Sequence, residues 1–144
     1  MNTREFQEHL KDRLNAVETL VQGGCRAFAE DTRTVYDESA QFMSEGGVAV
    51  VVVTPDLQRN GCAADGIPMD TKLLVRCMEL PPVADSDPNT IRALDAAEIV
   101  GHALDSETIQ WESVRQTQSQ DRSGNTVITA TAAFNVTLYL TKGE

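Results

Sequence analysis

Few residues in this chain have types that could do chemistry. They are His9 and His102, the cysteines Cys25, Cys62 and Cys77, the stretch Asn60-Gly61-Cys62-Ala63-Ala64-Asp65-Gly66, and the acid pair Asp85 and Asp87. Metal ligation by spacing alone would need HxxxH, HExxH or CxxC, and none occurs. His9 stands at helical spacing from Glu5 and Asp12, which reads as a solvated ion-pairing residue. His102 falls near the end of an expected helix, where positive charge suits the dipole. For a Cys–His nucleophile, Cys77 lies among Val75 and Met78 on an expected core strand and reads as a buried inert thiol. Cys62 lies in a loop with no activating neighbour. The glycine stretch lacks the Lys-Ser/Thr of a phosphate loop and opens no helix. Asp85 and Asp87 would need a pocket and a raised pKa to act as acid and base, and otherwise serve as loop and cap residues. The expectation is a non-enzyme with no catalytic residue, no cofactor and no metal.

The elements that would position such residues follow from periodicity. Phe6, Leu10, Leu14, Val17 and Val21 mark one face of a helix over about Thr3 to Val21, opened by an Asn2/Glu5 capping box and stopped by Gly23-Gly24. Cys25 to Glu30 reads as a short edge strand. Asp31 and Thr32 offer caps for a second helix to Ser44, with Val35, Ser39, Phe42 and Met43 inward. Val48 to Val53 is apolar on both faces, as a central strand requires. Residues 55–70 carry Pro55, Asn60-Gly61, Gly66 and Pro68 without periodicity and read as a long functional loop.

Lys72 to Leu80 reads as a second core strand, closed by Pro81-Pro82 and followed by a polar loop at 81–89. A third helix runs from Asp87-Pro88 to Leu104 with Ile91, Leu94, Ala97, Val100 and Leu104 as its stripe. From Ile128 to Leu140 apolar residues alternate with Thr, Ala, Asn and Tyr, the pattern of a strand with one buried face. Thr108 to Ser119 and the Asp121-Arg122-Ser123-Gly124-Asn125 turn complete a long antiparallel hairpin. The result is a single α+β domain over residues 1–144: one mixed, mostly antiparallel sheet with helices packed on it, in the order α-β-α-β-β-α-β-β.

Composition narrows the partners. The 22 acids outnumber 12 Lys and Arg for a net charge of -10, which repels phosphate backbones and anionic lipid heads. No nucleic acid and no membrane are therefore expected. The charge fits solubility and also fits a basic partner. The longest apolar run, Val48 to Val53, is far short of the ~20 residues that span a bilayer. Three sparse cysteines without CxxC spacing read as reduced thiols, and Met1-Asn2-Thr3-Arg4-Glu5 opens directly into a charged helix, so the cytoplasm is the expected compartment.

What remains is surface for other proteins. A hairpin this long either projects beyond its covering helices, leaving an edge to be protected or paired, or curls over its own core. The candidate interface is the hairpin's polar face, with Trp111, Arg115, Asn135 and Tyr139, and the two loops, with Arg59, Asn60, Asp85 and Asp87. Trp111 and Arg115 are of the types enriched at interface hot spots, and Trp111 also suits a core position.

The order of elements resembles the tail terminator, or tail-completion, proteins of long-tailed bacteriophages and prophages. The matching pattern is an amphipathic N-terminal helix, a second helix over Asp31 to Ser44, and Gly47-Val48-Ala49-Val50-Val51-Val52-Val53-Thr54-Pro55 followed by a Gly/Pro loop. Leu73-Leu74-Val75-Arg76-Cys77-Met78-Glu79-Leu80-Pro81, a helix centred on Ala96-Ala97-Glu98-Ile99-Val100 and the closing hairpin complete it. The resemblance implies a mixed sheet flanked by helices and a homo-oligomeric ring, commonly a hexamer. That ring would cap the tail tube and meet the head connector, in the virion and in the host cytoplasm during assembly. Another head–tail joining or tail-tube component, and a small-molecule-binding or catalytic α+β domain, are the alternatives.

Overall fold

The computed structural model describes residues 2–30, 34–59, 61, 67–80, 91–121 and 124–140, with 139 and 140 described by backbone alone. Helix α1 (Thr3–Asn15) starts as its sequence dictates, with Asn2 Oδ1 accepting from Glu5 N at 2.9 Å. Phe6, Leu10 and Leu14 are buried. The expected continuous helix to Val21 does not form. Ala16 N and Val17 N close tighter bonds to Arg13 O (3.2 Å) and Leu14 O (3.1 Å), Val17 is extended, and a short α2 (Glu18–Gln22) follows. The break rotates the apolar face, so Leu20 is buried and Val21 is 52% exposed.

Gly24, at φ 82, turns the chain into β1 (Cys25–Ala29). Helix α3 (Val35–Ser44) then crosses over to β2 (Val48–Val52), which pairs in parallel with β1 from Cys25↔Val48 to Ala29↔Val52. The expected caps Asp31 and Thr32 lie outside the described residues. Every residue of β2 is buried, as its unbroken valine run requires of a strand covered on both faces.

The long loop expected over 55–70 is largely a hairpin. Strand β3 (Asp56–Arg59) pairs antiparallel with the start of β4 (Ile67–Glu79), from Asp56↔Lys72 to Arg59↔Met69. The core strand expected from Lys72 thus begins five residues earlier, at Ile67. Pro55 precedes β3, and Pro68 is the second residue of β4, just outside the β3 pairing; prolines are tolerated near strand ends.

Helix α4 (Ala93–Leu104) leads into β5 (Ile109–Gln120) and β6 (Thr126–Leu140). The expected start at Asp87-Pro88 lies outside the described residues. The buried face of α4 is Ala93, Ala96, Ala97, Val100, Gly101 and Leu104, and Leu94, expected inward, is exposed. Small side chains let this helix lie close to the sheet. Arg92 Nε donates to the buried Glu79 Oε1 at 2.8 Å, and Arg13 Nη2 donates to Ala103 O at 2.8 Å, tying α4 to β4 and to α1.

The sheet order is β1-β2-β4-β6-β5, with β3 beside β4 beyond the end of β2. On one face α1, α2 and α4 cover the main core, in which Leu73, Val75 and Cys77 of β4 meet Ala130, Ala132, Phe134 and Val136 of β6. Burial of a side chain such as Phe134, 1% exposed, contributes about 1.5–3 kcal/mol. On the other face α3 covers β1 and β2 through Phe28, Val35, Ala49 and Val51, with Phe42, Met43 and Met78 at the margin. The architecture is therefore α+β with a mixed sheet and a C-terminal hairpin.

Candidate assembly surface

The three strands β4, β6 and β5 are packed on one face only. On the other, no described helix or strand lies over Lys72, Leu74 and Arg76 of β4, Thr131 to Thr137 of β6 at odd positions, or Arg115 and Thr117 of β5. Their alternation with the buried residues places them there. A groove of about 510 Å³ runs along this face, with Tyr36, Ser39 and Met43 of α3 as one wall and Arg76, Thr117, Thr129 and Thr131 among its floor residues. Its chemistry is that of hydroxyls, thioethers, the Arg76 guanidinium, the Gln120 amide and the Asp121 carboxylate.

Charges of both signs lie on this face. Lys72, Arg76 and Arg115 share it with Asp70, with Asp56, which is paired with Lys72 from β3, and with Asp121 at the end of the groove. Arg76 and Arg115 are both paired with Thr131, one from each side, so two guanidinium stems rise from next-nearest strands about 10 Å apart. Lys72 and Arg115 make no ion pair among the described residues. Arg76 lies near Glu30. That carboxyl, partly desolvated, is nonetheless held below the usual range by hydrogen bonds from Tyr36 and Thr54 and by the charge of Arg76.

Of the residues singled out from sequence, Arg115 and Asn135 do lie on this open face, and both are exposed. Trp111 does not join them. A bulge between Trp111 and Ser113 shifts the alternation by one, so Trp111 pairs with Phe134 and points to the helix-covered side. There its ring stacks edge-on with His102, centroids 5.1 Å apart, and packs against Gly101. Its Nε1 donates to Ser113 O at 3.2 Å and its backbone N to Asp105 Oδ1 at 3.1 Å. The apolar positions signal the bulge: Ile109 and Trp111 are odd, Val114 even.

Arg59 ends β3, exposed, with Nε donating to Gly61 O at 3.1 Å. The side chain of Tyr139, and all of Asn60, Asp85 and Asp87, lie outside what is described.

The far half of the hairpin runs past its helices. From Arg115 to Gln120 every residue of β5 is exposed on both faces. The bond from Asp121 N to Asn125 O, 2.9 Å, sets the ladder's alternation. Val114, Gln116, Gln118 and Gln120 accordingly direct their N–H and C=O groups away from β6. Sheet edges are commonly guarded by charge, proline or bulges, and this seven-residue stretch carries Arg115 as its one charge.

The remaining chemical candidates are dispersed. Among the described residues no three His, Cys, Asp or Glu side chains converge as a metal site. Burial, with a smaller contribution from Glu79, pushes the Cys25 thiol up to about 12, and burial also raises Cys77. Cys62 lies outside the described residues. His9 is exposed on α1 and His102 is engaged with Trp111. No described helix is long and apolar enough to cross a membrane. No family model matches the chain, and no curated protein matches it.

Proposed function

We propose that this chain is a non-catalytic structural protein of a long-tailed phage or prophage, a tail terminator whose copies form a ring that caps the tail tube and joins it to the head. The observation that carries the reading is the half-covered sheet: a three-strand polar face, bearing charges of both signs, with no described element over it. The helix-flanked mixed sheet is the architecture the family resemblance implies, and it lends the reading support. A ring needs two different patches per subunit, joined head to tail with a rotation that closes.

The test is assembly itself. Purified protein examined by light scattering and negative-stain microscopy is expected to give rings, alone or on isolated tail tubes. Growth into long fibres would instead assign it to the tube. A strictly monomeric species at high concentration that ignores tubes would refute the proposal.

A further inference from the structure

The open edge of β5 has a sequence that reads alike in both directions. Arg115-Gln116-Thr117-Gln118-Ser119-Gln120-Asp121 is symmetric by chemical type about Gln118. Amide answers amide at 116 and 120, hydroxyl answers hydroxyl at 117 and 119, and the cation at 115 answers the acid at 121. Every one of these residues is exposed. Their backbone is half used. Thr117 and Ser119 are in hydrogen-bonded pairs with Thr129 and Val127 of β6, as the bond from Asp121 N to Asn125 O sets, whereas the N–H and C=O groups of Gln116, Gln118 and Gln120 point outward.

The other edges of the described sheet are guarded. On β1 the side chain of Asn15 takes both backbone groups of Ala27. Strand β3 is short, begins with Asp56 and ends with Arg59, and charges at an edge discourage pairing. Among the described edges, the match for an open β5 is another β5.

We infer that β5 pairs antiparallel with β5 of a second copy of this chain, about a two-fold axis through Gln118. Gln116 then exchanges both backbone bonds with Gln120 of the other copy, and Gln118 with its own counterpart. On the open face Arg115 meets Asp121 of the other copy at each end, with Thr117 opposite Ser119 between them. The Asp121 carboxylate accepts from Asn125 N at 2.9 Å, which fixes it at the strand end, and a carboxylate has acceptor capacity for that bond and a guanidinium together. An axis through Thr117 would leave Arg115 opposite Ser119, and one through Arg115 would oppose two guanidinium groups, so charge selects the register. The contact is isologous and closes at two copies. It goes beyond the ring proposed above, whose head-to-tail contacts it neither supplies nor needs.

The test is residue-resolved amide exchange of the full chain at low and high concentration, beside sedimentation. A dimer is expected as concentration rises, and with it slowed exchange at Gln116, Gln118 and Gln120, while Thr117 and Ser119, bonded to β6, are slow throughout. Gln118→Pro removes an outward N–H that the β6 ladder does not use, so it is expected to keep the fold and abolish the dimer. Arg115→Glu breaks both symmetry-related pairs and sets acid against acid, and is expected to raise the dimer dissociation constant on the order of tenfold with the monomer's thermal midpoint unchanged.

Wild-type protein that stays monomeric at high concentration, or that dimerises while these three glutamines exchange freely, would overturn the contact. So would a dimer indifferent to both substitutions. Protection of this edge that appears only when isolated tail tubes are added would overturn it in favour of a strand from another protein. A β5-paired dimer that ignores tubes keeps this contact and sinks the ring reading, whereas Gln118→Pro protein that no longer dimerises but still forms rings on tubes upholds both.

Discussion

The side-chain amide of Asn15 closes on the backbone of Ala27 from both sides: Nδ2 donates to Ala27 O at 3.2 Å, and Oδ1 accepts from Ala27 N at 2.8 Å. Asn15 is the last residue of α1 and Ala27 the middle of β1, an edge strand. One side chain thus takes the place of a neighbouring strand at the centre of that edge. It marks the difference between the two edges of the sheet, since β5 has no such plug from Val114 onward among the described residues. Asn15→Ala is expected to cost about 1–2 kcal/mol, the worth of two partly buried hydrogen bonds, and to leave β1 open to pairing. Urea midpoints read the first effect and concentration-dependent scattering the second. An unchanged midpoint would show that water replaces the amide without loss.

Gly101 is where α4 meets Trp111. A Cβ built there would stand 2.2 Å from Trp111 Cε2, far inside contact distance. Alanine gains about 1 kcal/mol in helix propensity, but forcing a packed ring aside costs about 1–3 kcal/mol, so the clash wins. Gly101→Ala is expected to lower stability and to shift the emission of Trp111, the sole tryptophan, to the red. An unshifted spectrum with undiminished stability would mean that the ring moves freely.

Much of this fold could be read from periodicity, for a definite reason. The alternation of β6 and the valine run of β2 are long and bounded by turn residues, so no competing local structure matches them. The capping box at Asn2 is equally local. The failures are tertiary. The 6-10-14-17-21 spacing continues through Ala16–Val17, so nothing in it reveals the break that follows Asn15, the residue bonded to Ala27 of β1. Strand β3 was hidden by Pro55, Asn60-Gly61 and Pro68, although Met69, Thr71, Leu73, Val75 and Cys77 already alternate into β4. At the candidate surface Arg115 and Asn135 could be placed by parity, whereas Trp111 could not until the bulge was seen. That α3 stops short of β4 depends on the sheet's order, which no local pattern contains.

The described thiols should be silent. Burial holds Cys25 at about 12 and raises Cys77 as well, leaving almost no thiolate at mildly alkaline pH. A Cys62→Ser variant, which leaves these two, is expected to resist a thiol reagent such as DTNB while folded and to react fully on unfolding. Because the folded state favours the neutral thiols, stability from this source is present below the ordinary thiol value of 9.0 and declines as pH rises above it. Rapid labelling of the folded variant would show that β1 and β4 open far more often than their burial allows.

Acid should loosen α3 through Glu30. Its carboxylate accepts from Thr54 N at 3.0 Å and from the Tyr36 hydroxyl, and it feels Arg76. Against a partial desolvation that raises its pKa, these contacts bring it below 4.5, and Tyr36 in turn is held above its ordinary value. A carboxyl whose folded pKa is depressed stabilises the fold fully above its unfolded value of 4.5, and that contribution fades as pH falls through the folded value. Glu30→Gln is therefore expected to lower the thermal midpoint at neutral pH and to flatten its dependence on pH below 4.5. Tyr36→Phe, which removes one of the three contacts, should flatten it in part. Wild type and both variants losing stability along parallel curves would show that the link from β1 to α3 carries no charge-dependent stability, and that the helix is held by Val35 and Phe42 alone.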